Sequence, residues 1–502
     1  MRTIGKMKHR FVTRSDSPRS FITDKQGWSR NKRSGIHQKN SPKKMIIMVP
    51  YPAQGHVTPT LQLATALAHR GLHPVVVTPA FIHRKINHGD RNTGVSFMSI
   101  PDGMDEDGPC DFFAIEKAME NAMATHLERL VRKLCEEEDG GGGEVVCLVA
   151  DLLCSYAIEV AERCGVPAAG FWAAMLATYR LIAAVPSMLH TGLVSEIGTP
   201  QFKDPICIIP GQPKLGPDDL PWLIGTPGAR ISRFKFWLRT LGRSSTLRWL
   251  LVNSSPKEEG EEESHDLEQK IQFTNACDQH SPSIFPVGPL SKHALTCKNA
   301  TFWEEDMTCL DWLDKQRAGS VVYVSFGSWV SPIGEGKIKS LALALEASKR
   351  PFIWVLGILW REGLPKGFLD RVSEQGKVVS WAPQMEVLRH EAVGCYLTHC
   401  GWNSTNEALQ CMKPLVCYPV AGDQFVNCAY ITDVWKIGVK IGGLGQKDVE
   451  EGFRKVLEDG KMKESMLRLN GRVMGKEAGL SATNYLTSFI DEIENFATCN
   501  FP

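Results

Sequence analysis

Two doubly wound α/β domains are the fold this sequence predicts. Three observations predict it: a strand, loop, helix and strand opening near residue 45, the same grammar near residue 320, and a length of 502 residues, too long for one ordinary core. Hydrophobic residues at 43% and charged residues at 23% are normal globular usage.

The first unit reads "KKMIIMVPYPAQGHVTPTLQLATALAHRGLHPVVVTP", an apolar strand from Met45 to Val49, a loop, a helix and a second strand from Val75 to Thr78. Thr58 and Pro59 stand where a helix N-cap and first turn prefer them. Leu61, Ala64, Leu67 and Ala68 share one face, and Gly71 suits the stop. The second unit, "GSVVYVSFGSWVSPIGEGKIKSLALALEASKRPFIWVL", places a strand at Val321 to Phe326, a helical face of Ile338, Leu341, Ala342 and Leu345, and a strand at Phe352 to Leu356. Ligands are expected outside the carboxyl ends of such strands and in the cleft between the halves. The first domain is set at 45–290, a linker at 291–317, the second domain at 318–475, and an amphipathic helix carrying Leu486, Phe489, Ile490 and Ile493 within 476–502, expected to return to the first domain. Gly140 to Gly143 and the acidic run Lys257 to Glu263 read as solvated loops.

Charge is unevenly placed. Residues 1–44 carry 13 Lys/Arg against 2 Asp; without them 44 basic and 54 acidic residues remain, a net charge of −10 rather than +1. Nucleic acid is therefore excluded as a partner of the body. The basic segment reads first as a disordered extension, with a plastid transit peptide or an upstream extension of the reading frame as lesser alternatives to a cytoplasmic protein starting near Met45. The charge-free run Cys164 to Tyr179 spans 16 residues and holds Gly and Pro. A spanning helix needs about 20, so no membrane segment is expected. Fifteen cysteines lie singly, without metal-ligand pairs, and are expected to be free thiols in a reducing compartment.

The stretch "YLTHCGWNSTNEAL" ends a strand at His399 and starts a helix near Asn403 or Ser404, aiming unpaired N–H groups and the positive dipole end into a gap. Gly401 permits close approach, and His399, Asn403 and Ser404 add donors suited to a diphosphate. Ser404-x-x-Glu407 is equally a capping box, and on this segment alone the two readings stand level. Upstream, "VVSWAPQMEVLRH" puts Trp381 after a strand, where its ring could stack on a base, with Gln384 close behind. Downstream, "PLVCYPVAGDQF" ends in Asp423 and Gln424, a pair able to hydrogen-bond neighbouring hydroxyls. Stacking plane, diphosphate cradle and diol reader together describe a nucleotide sugar.

From Trp381 to Gln424 the chain resembles the 44-residue signature box of the plant UDP-glycosyltransferases, and "PYPAQGHVTP", "VYVSFGS" and "CLDWLD" extend the resemblance over most of the chain from Met45. The resemblance implies a GT-B fold, two Rossmann-like domains facing across a cleft, with acceptor on the first and donor on the second. It implies that Trp381 stacks on uracil, the Ala382 backbone meets its edge, and Gln384 and Glu407 hold the ribose. It assigns His399, Asn403, Ser404 and Ser328 to the diphosphate, and Trp402, Asp423 and Gln424 to the sugar. Met412-Lys413 before Pro414 and Tyr418 before Pro419 depart from the family pattern at positions that are not ligands.

His56, in the first strand-to-helix loop, has the pKa range of a general base. Asp151 ends the apolar strand of "EVVCLVADLLCS" at the mouth of the same sheet, and the resemblance implies that it orients His56. The implied reaction is a single displacement: His56 deprotonates an acceptor hydroxyl, which attacks C1 while UDP leaves toward the helix N-terminus. Neither metal nor cofactor is expected; a monomer is. The resemblance implies that Gln424 accompanies UDP-glucose as donor, and single displacement on an α-linked donor implies a β-glucoside as product. Phe171, Trp172 and Met175 suggest an apolar, lipophilic small-molecule acceptor. A nicotinamide dehydrogenase lacks its Gly-rich fingerprint here. A non-catalytic UDP-sugar sensor is the rival from another class, against which His56 and Asp151 argue.

Overall fold

The computed structural model describes residues 43–86, 94–104, 111–136, 144–258, 282–291, 302–328 and 333–500. The basic extension up to residue 42, the glycine run and most of the acidic run lie outside the described residues.

The first sheet contains β1 (Lys44–Val49), β2 (His73–Pro79), β3 (Ser96–Ile100), β4 (Glu144–Asp151), β5 (Ala168–Trp172), β6 (Trp249–Val252) and β7 (Ser283–Pro286). Their order is β3-β2-β1-β4-β5-β6-β7. The second holds β8 (Val321–Ser325), β9 (Phe352–Val355), β10 (Gly376–Val379), β11 (Val393–Thr398), β12 (Leu415–Cys417) and β13 (Gly438–Lys440), in the order β10-β9-β8-β11-β12-β13. Every adjacent pair is parallel. Strands covered by helices on both faces must be apolar throughout, and the five residues of β8, VVYVS, are all buried. In each sheet the order reverses beside its first strand, between β1 and β4 and between β8 and β11. Such switch points open a crevice at the carboxyl ends. This is the expected pair of Rossmann-like sheets.

One local reading needs correction. The helix after β1 runs Gln54–Ala68 with Ala53 at its N-cap, so Thr58 and Pro59 lie in its second turn rather than at its start. Pro59 has no N–H to give the Gly55 carbonyl four residues back. The turn is held instead by side chains: Gln54 Nε2 donates to Thr58 Oγ1 at 2.7 Å and Thr60 Oγ1 to the His56 carbonyl at 2.8 Å.

The terminal helix Lys476–Asn500 lays Leu486, Phe489, Ile490 and Ile493 into the core that Ile46, Met48, Val149, Leu251 and Phe285 form on one face of the first sheet. Trp249 Nε1 donates to Glu492 at 2.7 Å, and Lys44 pairs with Glu494 at 2.9 Å. The segment ahead of β8 carries a helix, Thr308–Leu313, whose Cys309 and Leu313 are buried.

Candidate active site

Asp151 ends β4 and His56 is the third residue of the helix Gln54–Ala68 that follows β1, already helical rather than in the loop expected, at the first switch point where the register sets Val49 beside Ala150. The Asp151 carboxylate is buried; one oxygen accepts the Leu153 N–H at 2.9 Å and the other meets His56 Nδ1 at 2.7 Å. Fixing Nδ1 in this way leaves Nε2 for a substrate proton. Burial lowers the imidazole pKa, but the Asp151 charge and hydrogen bond, helped by Asp423, outweigh it and leave His56 above its ordinary value of 6.5. Asp423, from the second domain, is itself pushed up by burial, against the pull of its bond from Asn427 and the nearness of His56. A base in one domain thus faces a carboxylate in the other.

At the second switch point β11 and β8 end together, Thr398 beside Ser325. The helix Trp402–Gln410 starts at once, capped by the Gly401 backbone without a side-chain cap. Its first intrahelical bond runs from Thr405 N–H to Gly401 C=O at 2.9 Å, so the N–H groups of Trp402, Asn403 and Ser404 precede the ladder and point out of it. Cys400 turns the chain through a left-handed conformation, φ 66, with its N–H held by Thr398 Oγ1 at 3.1 Å. The His399 ring fills the space left by two glycines: a Cβ on Gly327 would sit 2.7 Å from Nε2, and one on Gly401 would collide with the same atom. Burial pushes this imidazole down to about 4, against a smaller opposing pull from the Ser325 backbone, so it is neutral. Ser328 follows Gly327 in the chain just past β8. Helix N–H groups and a neutral imidazole therefore stand together at the ends of β11 and β8, the kind of place that suits an anion.

The capping box does not form, because Ser404 is the third helical residue and not the cap. Gln384 instead gathers the group: its Nε2 donates to Ser404 Oγ at 3.1 Å and Glu407 Oε2 at 2.5 Å, and its Oε1 accepts from Tyr323 at 3.0 Å and Tyr396 at 3.3 Å. Burial raises the Glu407 carboxyl to about 7 despite the Gln384 bond.

Other predicted residues are differently disposed. The Trp402 indole is buried and donates to the Asn253 carbonyl of the first domain at 2.6 Å, which leaves only its backbone N–H for a ligand. Asn403 Nδ2 donates across the cleft to the Gly55 carbonyl at 2.9 Å, the acceptor that Pro59 leaves without a helical partner. Gln424 Oε1 accepts the N–H groups of Val420 and Ala421, both at 2.9 Å, and keeps its Nε2 for a ligand. Ala382 is buried beside Trp381, whose ring is stacked by Trp303 with centroids 4.4 Å apart at 28°. Phe171, Trp172 and Met175 are fully in the core, the Trp172 indole spent on the Met175 carbonyl, so they do not line an acceptor pocket.

Comparison with known proteins agrees with this geometry. Residues 292–473 match the family model for UDP-glucoronosyl and UDP-glucosyl transferase. UDP-glycosyltransferase 82A1 of Arabidopsis thaliana is 52% identical over 466 residues, covering 91% of this chain and 100% of that protein. The chain belongs to the plant UDP-glycosyltransferase family. As a member it is a UDP-dependent glycosyltransferase. (R)-mandelonitrile beta-glucosyltransferase of Prunus dulcis is 30% identical, over 87% of this chain and 93% of its own. The structure of Os79 from O. sativa in complex with UDP superposes with a TM-score of 0.72 at 25% identity, covering 89% of this chain and all of that one. Among the described residues, no helix of this glycosyltransferase is long and apolar enough to cross a membrane.

Sequence reasoning missed a strap in this glycosyltransferase that joins base site to catalytic loop. The Phe302 N–H donates to Gln54 Oε1 at 3.0 Å, Trp303 stacks on Trp381, and the Asp306 N–H donates to the Trp381 carbonyl at 3.0 Å. Only the aromatic pair Phe302-Trp303 ahead of "CLDWLD" signalled it.

Proposed function

We propose that the protein transfers glucose from UDP-glucose to a hydroxyl of a small lipophilic acceptor and inverts the anomeric carbon. The observation that carries this reading is the 2.7 Å contact of His56 with buried Asp151, facing Asp423 and the diphosphate cradle. His56 Nε2 takes the acceptor proton, Asp151 stabilises the imidazolium, and the oxygen attacks C1 from the face opposite UDP. Charge developing on the leaving diphosphate meets the N–H groups at the head of helix Trp402–Gln410, with Asn403, Ser404 and Ser328 as side-chain donors. Trp381 stacks on the base, Glu407 and Gln384 take the ribose, and Asp423 with Gln424 Nε2 reads the sugar. With no enzyme nucleophile in this scheme, an α-linked donor gives a β-glycoside.

The name of the Prunus dulcis relative, a glucosyltransferase acting on a small aromatic cyanohydrin, supports both the glucosyl and the lipophilic parts. The test is incubation with UDP-glucose, UDP-galactose or UDP-xylose and a panel of phenols and alcohols, with proton NMR of the product. A β-coupled glucoside is expected; an α-linked product would sink the single displacement, and a preference for another sugar would overturn the Gln424 assignment alone.

A further inference from the structure

Cys400, Cys417 and Cys428 stand on three separate elements of one stretch of the chain, and their Sγ atoms lie within 4.8 Å of one another. They come from three elements of the donor half: the left-handed turn inside the cradle, the last residue of β12, and the helix Gln424–Ala429 that follows the sugar-reading pair. All three are buried among apolar neighbours. The Lys440–Asp219 ion pair, 3.7 Å, is the charged neighbour of Cys428. Buried cysteines often serve only as small hydrophobes. A convergence of three thiols on a common point is a different matter, because it matches a three-coordinate soft centre.

Geometry and charge choose among such centres. Metal–thiolate bonds of about 2.3 Å set three sulfurs about 4 Å apart, within reach of this triangle by small side-chain rotations. A divalent ion bound by three thiolates would leave a net negative charge in an apolar interior, and Lys440 is already paired. A trivalent centre leaves none. We propose that this triangle is a trithiol site for trivalent arsenic, and that filling it disables the diphosphate cradle. Arsenous acid condenses with the thiols, As(OH)3 + 3 RSH giving As(SR)3 + 3 H2O, with three As–O and three S–H bonds broken, three As–S bonds formed and no change of oxidation state. Where one cysteine starts as thiolate, hydroxide leaves in place of one water. Burial pushes the Cys400 and Cys417 thiols up, while their hydrogen bonds hold the Cys428 thiol below its ordinary value, so Cys428 is the sulfur poised to attack first. Cys400 sits between His399 and Gly401, so drawing its sulfur inward displaces the ring and the helix start of the cradle.

The experiment treats the reduced full-length protein, freed of dithiols, with one equivalent of sodium arsenite. X-ray absorption at the arsenic edge is expected to read three sulfur neighbours and no oxygen. UDP binding is expected to be lost and then restored by a competing dithiol. Cys417→Ala and Cys428→Ala should each lose the three-sulfur signature. Two sulfurs with an oxygen, or an unchanged signature in either variant, overturns the site; three sulfurs with UDP binding intact overturns its effect on the cradle. Should the variants fold poorly, Cys207→Ala, at an exposed cysteine outside the triangle, decides: it must keep the three-sulfur signature, and its loss there contradicts the proposal. Arsenic coordination is read without reference to catalysis, so its failure is separable from failure of the transferase reading.

Discussion

His56 works as a base only when neutral, and its partner holds its pKa above 6.5, so kcat/KM should climb through a pKa above that value as pH rises. Asp151→Asn removes the charge and the ionic hydrogen bond of Asp151 and leaves burial, which lowers the pKa, opposed by Asp423 alone. The acidic limb of the pH profile should then move to lower pH while the plateau falls on the order of a hundredfold or more. A limb that stays in place would detach the titration from this pair. Glu407 gives a second pH signature. Its carboxyl titrates near 7 in the free protein, and ribose hydroxyls donate to the ionised form, so UDP affinity should rise as pH rises toward about 7, with release of a proton on binding. Calorimetry in buffers of different ionisation enthalpy measures that proton. Glu407→Gln should reduce the release to what the UDP phosphate itself contributes, and an unchanged release would take Glu407 out of the ribose site. His399, neutral well above its pKa of about 4, does not confound the reading.

Among elements, the helix Gln54–Ala68 shows where the sequence was misleading. Thr58-Pro59 has the chemistry of a helix start, and nothing local says that the backbone is already helical at Gln54, because the groups that hold that turn include Phe302, Asp151 and Asn403 from distant segments. Pro59 frees the Gly55 carbonyl, and Asn403 takes it, tying the loop of the base to the head of the cradle helix. Pro59→Ala returns an N–H that competes for that carbonyl. Thermal stability should hold or rise while turnover falls by up to about tenfold, the scale of one net hydrogen bond. A lower melting temperature with unchanged turnover would contradict the latch. The capping box failed for a related reason: Ser404-x-x-Glu407 satisfies the pattern, but Gly401 begins the helix earlier and Gln384 claims both side chains. Trp402 and Phe171 were assigned by type, and the burial of their side chains, which depends on the whole packing, was not legible locally.

The whole molecule was legible wherever its signal was periodic. Parallel strands without polar alternation, helices between them, and an amphipathic terminal helix with Leu486, Phe489, Ile490 and Ile493 on one face all follow from local patterns, and the two switch points then place His56, Asp151 and His399. Contacts across the cleft, such as Trp402 to Asn253 and Trp435 to the Glu258 carbonyl, carry no local pattern and were invisible. The terminal helix crosses back to the first sheet, so truncating fully buried Phe489 to Ala should destabilise the fold by about 3–5 kcal/mol, measured by denaturant unfolding. A loss below about 1 kcal/mol would mean that the helix is dispensable to the sheet it covers. The most direct measurement of the account is turnover of His56→Ala with UDP-glucose and an alcohol acceptor, alongside its UDP affinity. Turnover is predicted to fall roughly a hundredfold to ten-thousandfold with UDP affinity kept, since the base lies in one domain and the nucleotide in the other; a variant that still transfers at near the normal rate would contradict the mechanism.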